Sequence, residues 1–148
     1  MLITDEDRVV VPLDEAECHA LLSDGHIGRL GYTRDALPAI QPVTYRCHDG
    51  EVVIPSLPYS DYLSATRGAI VAFQVDAYDD SERTGWSINV IGPARRVEDP
   101  AQVLVCDRLD WPHPTTVPGL SYVTVRIGLV RGWRTVPSPV SRRRRAGA

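Results

Sequence analysis

The sequence contains no lysine, and all 16 of its basic residues are arginine. This absence excludes every site that depends on a lysine amine: a Schiff base, a phosphate-binding loop with its lysine, or a lysine general base. Four arginines form the run from Arg142 to Arg145, so residues 1–141 hold 12 arginines against 19 acidic residues, a net charge near −7. Nucleic-acid affinity rests on many contacts between basic side chains and phosphates. We therefore expect no nucleic-acid partner.

Cysteine and long apolar segments are also scarce. Cys18, Cys47 and Cys106 form no C-x-x-C pair, and the four histidines are scattered, so neither a metal site nor a disulfide framework is predicted. No run of about 18 apolar residues occurs, which excludes a membrane-spanning helix. Residues 1–7 are acidic where a secretory signal is basic and then apolar. We expect a cytoplasmic protein that does not contact membranes.

The size and composition indicate one folded domain. The chain has 148 residues, of which 43% are hydrophobic and 24% charged, as in ordinary globular proteins. We predict an N-terminal arm at residues 1–12 and a single domain at residues 13–136. The proline- and arginine-rich residues 137–148 are predicted to form a disordered, solvated tail.

The apolar pattern predicts strands separated by short helices. Six strands are expected, at residues 27–33, 39–46, 51–56, 70–76, 85–97 and 121–127, the last extending to about residue 134. Three short helices are expected after Asp14, after the capping pair Ser60-Asp61 and after Asp99. The Gly92-Pro93 pair interrupts the longest strand and indicates a bend at a barrel corner. Mainly antiparallel β structure with short helices (α+β), in a small barrel, follows from this order.

Four segments together resemble a known family. They are Ile27-Gly28-Arg29-Leu30-Gly31, residues 38–45 with Pro42-Val43-Thr44-Tyr45, residues 71–76, and residues 85–94 with Gly85-Trp86-Ser87. In this order they resemble the small pyridoxamine 5′-phosphate oxidase-like proteins, the FMN-binding split-barrel family that includes nitroimidazole-reductase-type members. The resemblance covers residues 13–134 and implies an antiparallel six-stranded split β-barrel.

The resemblance also implies a cofactor site and an assembly. Members are homodimers with two flavin sites at the interface, so a homodimer and a small-molecule substrate are expected here. Carried over by residue, the resemblance assigns contacts with the flavin ring to Pro42, Val43 and Thr44, contacts with ribityl and phosphate to Ile54, Pro55, Ser56 and Ser60, and contacts from the partner chain to Trp86 and Ser87. Even with the resemblance, Trp86 could equally be a core aromatic residue and Ser87 an exposed strand hydroxyl.

One position departs from the family pattern. Relatives place Lys or Arg at the start of the helix after the third strand, where this chain has Asp61, or Tyr62 if the alignment shifts by one residue. An acidic side chain beside a phosphate weakens its binding. Arg29, Arg46 and Arg67 are the candidates to compensate for this charge. FMN is the expected cofactor, and a deazaflavin or no cofactor remains the alternative.

Two functions of different classes follow from the resemblance. The first is an FMN-dependent oxidoreductase that passes hydride to or from a small molecule, with the cofactor as the reactive group. The second is a non-catalytic protein of the same fold that holds flavin, deazaflavin or haem, or that has lost its cofactor. No catalytic residue is assigned, although His26 and Tyr45 are candidate proton donors.

Overall fold

The structure is a computed structural model that describes residues 5–147, apart from the side chains of residues 141 and 145. The described part contains nine strands and four short helices. The strands are β1 (Arg8–Leu13), β2 (Ile27–Arg34), β3 (Leu37–Thr44), β4 (Arg46–His48), β5 (Glu51–Ser56), β6 (Ile70–Asp79), β7 (Thr84–Arg96), β8 (Ser121–Arg126) and β9 (Leu129–Pro137). The helices are α1 (Glu15–Asp24), α2 (Tyr62–Ala65), α3 (Pro100–Asp107) and α4 (Pro139–Ala146).

All strand pairs are antiparallel, in the order β3-β2-β6-β7-β8-β5-β4. Strand β9 also pairs with β7 and carries β1 on its other side. Within the described residues the two end strands, β3 and β4, do not pair with each other, so the sheet curls without closing. The predicted fold class, mainly β with short helices in an open, split barrel, is confirmed.

The structure has more strands than the six predicted. Three-residue β4 is too short to show a period in the sequence, and β1 lies in the segment predicted as an arm. The predicted last strand is divided at residues 127–128 into β8 and β9, which follow each other in the same direction along β7. Residues 1–4 of the predicted arm, and residue 148 of the predicted tail, lie outside the described residues.

The helix ends are set by local hydrogen bonds. In α1, the Asp14 side chain accepts from the Glu17 backbone amide and the Glu17 side chain accepts from the Asp14 amide, which is a capping box. Helix α2 begins after Asp61, within the predicted capping pair, but the Asp61 side chain makes no capping hydrogen bond. Helix α4 starts at Pro139, within the tail predicted to be disordered.

Strand β7 forms the corner of the barrel. Up to Pro93 it pairs with β6, and from Ala94 it pairs with β8. The bend predicted at Gly92-Pro93 therefore lies where the strand passes from one half of the sheet to the other. The main core lies inside this curve and includes the fully buried Tyr45 and Phe73, whose rings meet edge to face at 4.8 Å. In the described part of the chain, no helix has the length and apolar character needed to cross a membrane.

Candidate functional site

A cleft of about 420 Å³ opens beside the end of strand β3, and we name it the β3 cleft. One wall is the last half of β3, and the other is the chain from the end of β5 into α2. Pro55 and Pro58 lie where β5 ends, because proline supplies no amide for a continuing ladder. The residues that line the cleft are Gln41, Pro42, Val43, Thr44, Pro55, Leu57, Tyr59, Ser60, Asp61 and Tyr62.

Ten residues are predicted at the cofactor site when Asp61, at the expected phosphate position, is counted with the nine assigned contacts. Six of the ten line this cleft: Pro42, Val43, Thr44, Pro55, Ser60 and Asp61. Strand β3 ends the strand order and pairs only with β2 among the described strands. One row of its backbone amides and carbonyls is therefore not used by the sheet. Pro42 is tolerated here because an edge strand does not need its missing amide. The wall of the cleft thus combines apolar surface with unpaired backbone groups.

The structure does not bring Ile54 and Ser56 to the β3 cleft. Both side chains are fully buried, and the Ser56 hydroxyl donates to the Ile54 carbonyl at 3.3 Å. Successive residues of a strand point to opposite faces, so Pro55 faces away from its two neighbours. The side chains of these three residues therefore do not line one cleft together, and their contact with a cofactor stays a prediction. Ile54 and Ser56 instead belong to the packed interior behind Pro55.

Trp86 and Ser87 lie on β7, outside the set that lines the β3 cleft of the same chain. Trp86 is half-buried and packs against the main core, which favours its reading as a core aromatic residue. Ser87 lies on the opposite, outer face, in register with Asp76 of β6 and Trp133 of β9. Only Ser87 of the two thus occupies a face open to a partner chain.

The charge at one end of the cleft is an ion pair. The Asp61 carboxylate contacts the guanidinium of Arg34, the last residue of β2 before the hairpin turn to β3. Tyr32 of β2 and Tyr62 of α2 meet edge to face with ring centroids 6.1 Å apart. Burial raises the pKa of the Tyr32 phenol, and the nearby Asp61 charge raises it further. Both effects keep this phenol in its neutral form.

The three arginines considered as compensating charges are used elsewhere. Arg29 contacts Asp76 at 3.0 Å, and Arg67 contacts Glu98 at 3.4 Å. Arg46 donates to the carbonyls of Tyr45 and Asp110, each at 2.7 Å, and lies over the Trp111 ring.

Arg34 is therefore the arginine that contacts a side chain of the cleft. The sequence around Arg34 does not indicate this ion pair, because the pair joins residues that are distant in the sequence and meet only in the folded chain.

His113 is a second residue that the sequence did not single out. Its Nε2 lies 3.4 Å from the Thr44 hydroxyl, at the rim of the β3 cleft. Its ring stacks on Trp111 at 5.7 Å, and Trp111 in turn stacks on Tyr122 at 6.1 Å. The aromatic stack fixes His113 beside the cleft. The proline-rich loop of residues 111–119 was the available signal, since loops held by a rigid scaffold often carry functional groups.

The two candidate proton donors do not reach the cleft. Tyr45 is fully buried, its hydroxyl donates to the Leu22 carbonyl, and burial raises its pKa well above the ordinary value. His26 is exposed just before β2 and is not among the residues that line the cleft. Among the described residues, no group of three or more His, Cys, Asp or Glu side chains is arranged to hold a metal ion.

Comparisons with known proteins find one relative by its sequence and others by their solved structures. An uncharacterised protein of Mycobacterium tuberculosis is 41% identical over 110 residues, which span 71% of this chain and 72% of the relative. The structure of the FAD-binding protein from Mycobacterium smegmatis is similar with a TM-score of 0.71 at 27% identity, covering 88% of this chain and 99% of that one. A 5-nitroimidazole antibiotic resistance protein from Bacteroides thetaiotaomicron shares the fold, with a TM-score of 0.68 at 11% identity, over 89% of this chain and 91% of that one.

The family model that matches covers most of the domain. It is the one described as pyridoxamine 5′-phosphate oxidase, and it matches residues 14–134. These bounds include β2, β3 and the whole β3 cleft, together with the corner strand β7. They agree with the extent of the resemblance in the sequence, residues 13–134. The chain therefore belongs to the pyridoxamine 5′-phosphate oxidase-like family of split-barrel proteins.

Proposed function

We propose that this protein is a flavin-dependent oxidoreductase that transfers a hydride to or from a small molecule. The observation that carries the proposal is the β3 cleft, where Pro42, Val43 and Thr44 lie along an edge of the sheet that is not paired. The 27% identical relative from Mycobacterium smegmatis, which binds FAD, supports a flavin as the cofactor. The catalytic part of the proposal rests on the family resemblance.

The cleft fits a flavin ring chemically. The ring is flat and largely apolar, with hydrogen-bonding groups along one edge, and it needs an apolar wall beside backbone donors and acceptors. Pro42, Pro55 and Leu57 supply apolar surface, and the free edge of β3 supplies amides and carbonyls. When bound, a flavin supplies reversible hydride and electron transfer, and the protein supplies orientation and electrostatics.

The chain's own residues then have defined tasks. The β3 backbone orients the ring, and the Ser60 hydroxyl donates to ribityl or phosphate oxygens at the other end of the cleft. Arg34, held beside Asp61, is the cation available at that end. His113 keeps the Thr44 hydroxyl directed along the rim of the cleft. FMN is the first expectation, and FAD is the second because the Mycobacterium smegmatis relative binds it.

The proposal includes a homodimer. Pro42 lies on the outer face of the sheet, in register with Arg29 of β2, so the β3 cleft adjoins that face. A second copy on the outer face would bring its Ser87 near this boundary. Such a dimer would complete the cleft with groups from both chains, as the resemblance implies. The cytoplasmic location stays a prediction from the sequence.

Cofactor titration tests the proposal. Protein purified without added cofactor is examined by its absorption spectrum, then titrated with FMN, FAD, riboflavin and a deazaflavin. We expect absorption near 450 nm, or saturable binding of FMN or FAD at micromolar concentration, and reduction of the bound flavin by a nicotinamide donor. A Soret band, or failure of all four compounds to bind, would contradict a flavin enzyme and support the haem-binding or cofactor-free alternative.

A matched pair of variants locates the site. Pro42→Glu places a charge in the cleft wall, and Pro38→Glu places the same charge on the same exposed edge strand but outside the cleft. We expect at least a tenfold loss of flavin affinity for the first variant and little change for the second. Equal effects of the two would show that the flavin does not lie along residues 42–44.

A further inference from the structure

A second cleft, of about 240 Å³, lies between helix α3 and the outer face of strands β5, β7 and β8, and we name it the α3 cleft. It shares no lining residue with the β3 cleft. Its volume is several times the space of one water molecule, about 30 Å³. The residues that line it are His48, Asp49, Glu51, Val53, Arg95, Val97, Gln102, Val105, Cys106 and Thr124.

The strand register explains why polar and apolar groups meet in this cleft. Thr124 of β8 lies opposite Val53 of β5 on one side and opposite Arg95 of β7 on the other. Residues paired in an antiparallel ladder share a face, so these three side chains form the floor. Val105 and Cys106 of α3 form an apolar wall over them. The cleft therefore offers an apolar slot with a polar floor.

Two oxygen atoms in the lining lack a hydrogen-bond partner among the described residues. They are Oγ1 of Thr124 and Oε2 of Glu51, and both are hidden from solvent. The Thr124 side chain is only 3% exposed. An unsatisfied buried polar atom costs free energy, and more so when the group is charged. Both oxygens can accept a hydrogen bond, and Glu51 as a carboxylate can only accept.

The positive charge in the cleft is already used. Arg95 donates to Oε1 of Glu51 at 3.0 Å and to the side-chain oxygen of Gln102 at 3.4 Å. Asp49 adds a second carboxylate to the lining. The two carboxylates therefore outnumber the one guanidinium, and the formal charge of the three side chains is negative. An anion would meet the hidden Glu51 oxygen, whereas a cation would supply the donor that this oxygen lacks.

We propose that the α3 cleft binds a small organic cation, a primary ammonium group attached to an apolar body. The ammonium group donates to Oε2 of Glu51 and to Oγ1 of Thr124, and the body packs against Val53, Val105 and Cys106. The terminal torsion of a glutamate is soft, so a small rotation of the carboxylate turns its free oxygen into the cleft. The proposal is independent of the flavin and of the β3 cleft.

Ligand-observed and amide-shift NMR with three small probes tests the proposal. Benzylamine, benzyl alcohol and benzoate have the same body and carry a positive, a neutral and a negative head group at neutral pH. We expect benzylamine to bind at millimolar concentration or below and to shift amides near residues 49–53, 95–97 and 102–106. Benzyl alcohol and benzoate should bind at least tenfold more weakly. Equal binding of all three, or no shifts in these segments, would overturn the proposal and leave ordered water as the occupant.

Three variants give the matched comparison. Glu51→Gln removes the carboxylate charge and should weaken benzylamine binding about tenfold, while Glu82→Gln, in the exposed turn between β6 and β7, should leave it unchanged. Thr124→Val removes the hidden hydroxyl with little change of shape and should weaken binding several-fold. It also serves as the test if Glu51→Gln does not fold. Unchanged benzylamine affinity in a folded Glu51→Gln or Thr124→Val protein would overturn the proposed contacts.

Discussion

The ion pair between Asp61 and Arg34 controls the charge at one end of the β3 cleft. Both side chains are about half exposed, at 61% and 48%, so the pair contributes little to the stability of the fold. Asp61 also makes no capping hydrogen bond to α2. A substitution at Asp61 should therefore act on ligand binding far more than on folding.

The first prediction concerns Asp61→Asn. Removing the carboxylate takes away a repulsion of the cofactor phosphate and releases Arg34 to contact it. At an effective dielectric constant of about 20, a unit charge at several ångström is worth on the order of 1 to 3 kcal/mol before screening. We expect FMN to bind roughly tenfold more tightly at low salt, with a smaller gain at high salt. Fluorescence titration with FMN at two salt concentrations measures this.

Riboflavin and a neighbouring carboxylate provide the controls. Riboflavin lacks the phosphate, so its affinity should not change in Asp61→Asn. Asp35 also contacts Arg34, at 3.8 Å, but does not line the cleft, so Asp35→Asn should alter FMN binding only slightly. Equal gains for FMN and riboflavin would show that no phosphate lies beside Asp61.

For single residues, the sequence predicts a place in the candidate site only where a local sequence motif fixes that place in the fold. Pro42, Val43 and Thr44, which the family pattern assigns to the flavin ring, line the β3 cleft. Ile54 and Ser56 were assigned to the cofactor together with Pro55, but both side chains are buried on the opposite face of β5 from Pro55. Arg34 and His113 could not be assigned, because their contacts with Asp61 and Thr44 join segments distant in the sequence.

Among the elements, strand β7 depends on a glycine where it turns the barrel corner. A Cβ atom added at Gly92 would lie 1.8 Å from the backbone carbonyl oxygen of Arg126. A backbone atom held in a strand cannot move aside as the end of a flexible side chain can. The close approach of β7 to the end of β8 therefore requires glycine at this position.

The second prediction is that Gly92→Ala destabilises the protein by about 3 kcal/mol, the upper part of the range for overpacking. The control is Gly147→Ala at the end of α4, away from the outer face of the sheet, where the added carbon meets the Arg143 carbonyl oxygen at an ordinary 3.5 Å. This control should change the unfolding free energy by less than about 0.5 kcal/mol. Urea unfolding at one fixed protein concentration compares them, and equal stability of the two variants would refute the crowding at Gly92.

The sequence predicts the bounds of a strand well where the apolar pattern extends over many residues, and it misses strands where that pattern is short. Strand β5 has the predicted bounds, and β2, β6 and β7 differ from theirs by a few residues. The Gly92-Pro93 pair signalled the corner because both residues disfavour a regular ladder. The predicted last strand and its extension correspond to β8 and β9, which keep one direction along β7 and are separated only at residues 127–128. Strand β1 forms because β9 offers it a partner, which its own sequence does not reveal.

For the whole molecule, the outer face of the sheet carries an exposed apolar row across five strands. It runs through Ile40, Gly31, Ala72, Ile91 and Leu129, each in register with the next. Ile40 is 74% exposed and Ile91 is 44% exposed. A continuous apolar strip on a sheet face marks a binding surface more strongly than scattered apolar residues do. A second copy of the chain is the occupant that we predict.

The third prediction is that the protein is a dimer that depends on this row. Light scattering at micromolar concentration should give about twice the 16.3 kDa of the chain. Ile91→Asp places a charge in the middle of the row and should give the monomer mass. Leu104→Asp, on helix α3 and 55% exposed, places the same charge outside the row and should leave the dimer intact. A monomeric wild-type protein, or a dimeric Ile91→Asp protein, would contradict the prediction.

The same pair of variants separates the dimer from the site it is expected to complete. Ser87 lies on the outer face with the apolar row, and the β3 cleft opens at the border of that face through Pro42. If Ser87 reaches the partner's cleft, loss of the dimer removes contacts to the flavin without changing any residue of the cleft itself. Ile91→Asp should then bind flavin at least tenfold more weakly, and Leu104→Asp should bind it normally. A monomeric Ile91→Asp protein with unchanged flavin affinity would show that each chain holds the cofactor alone.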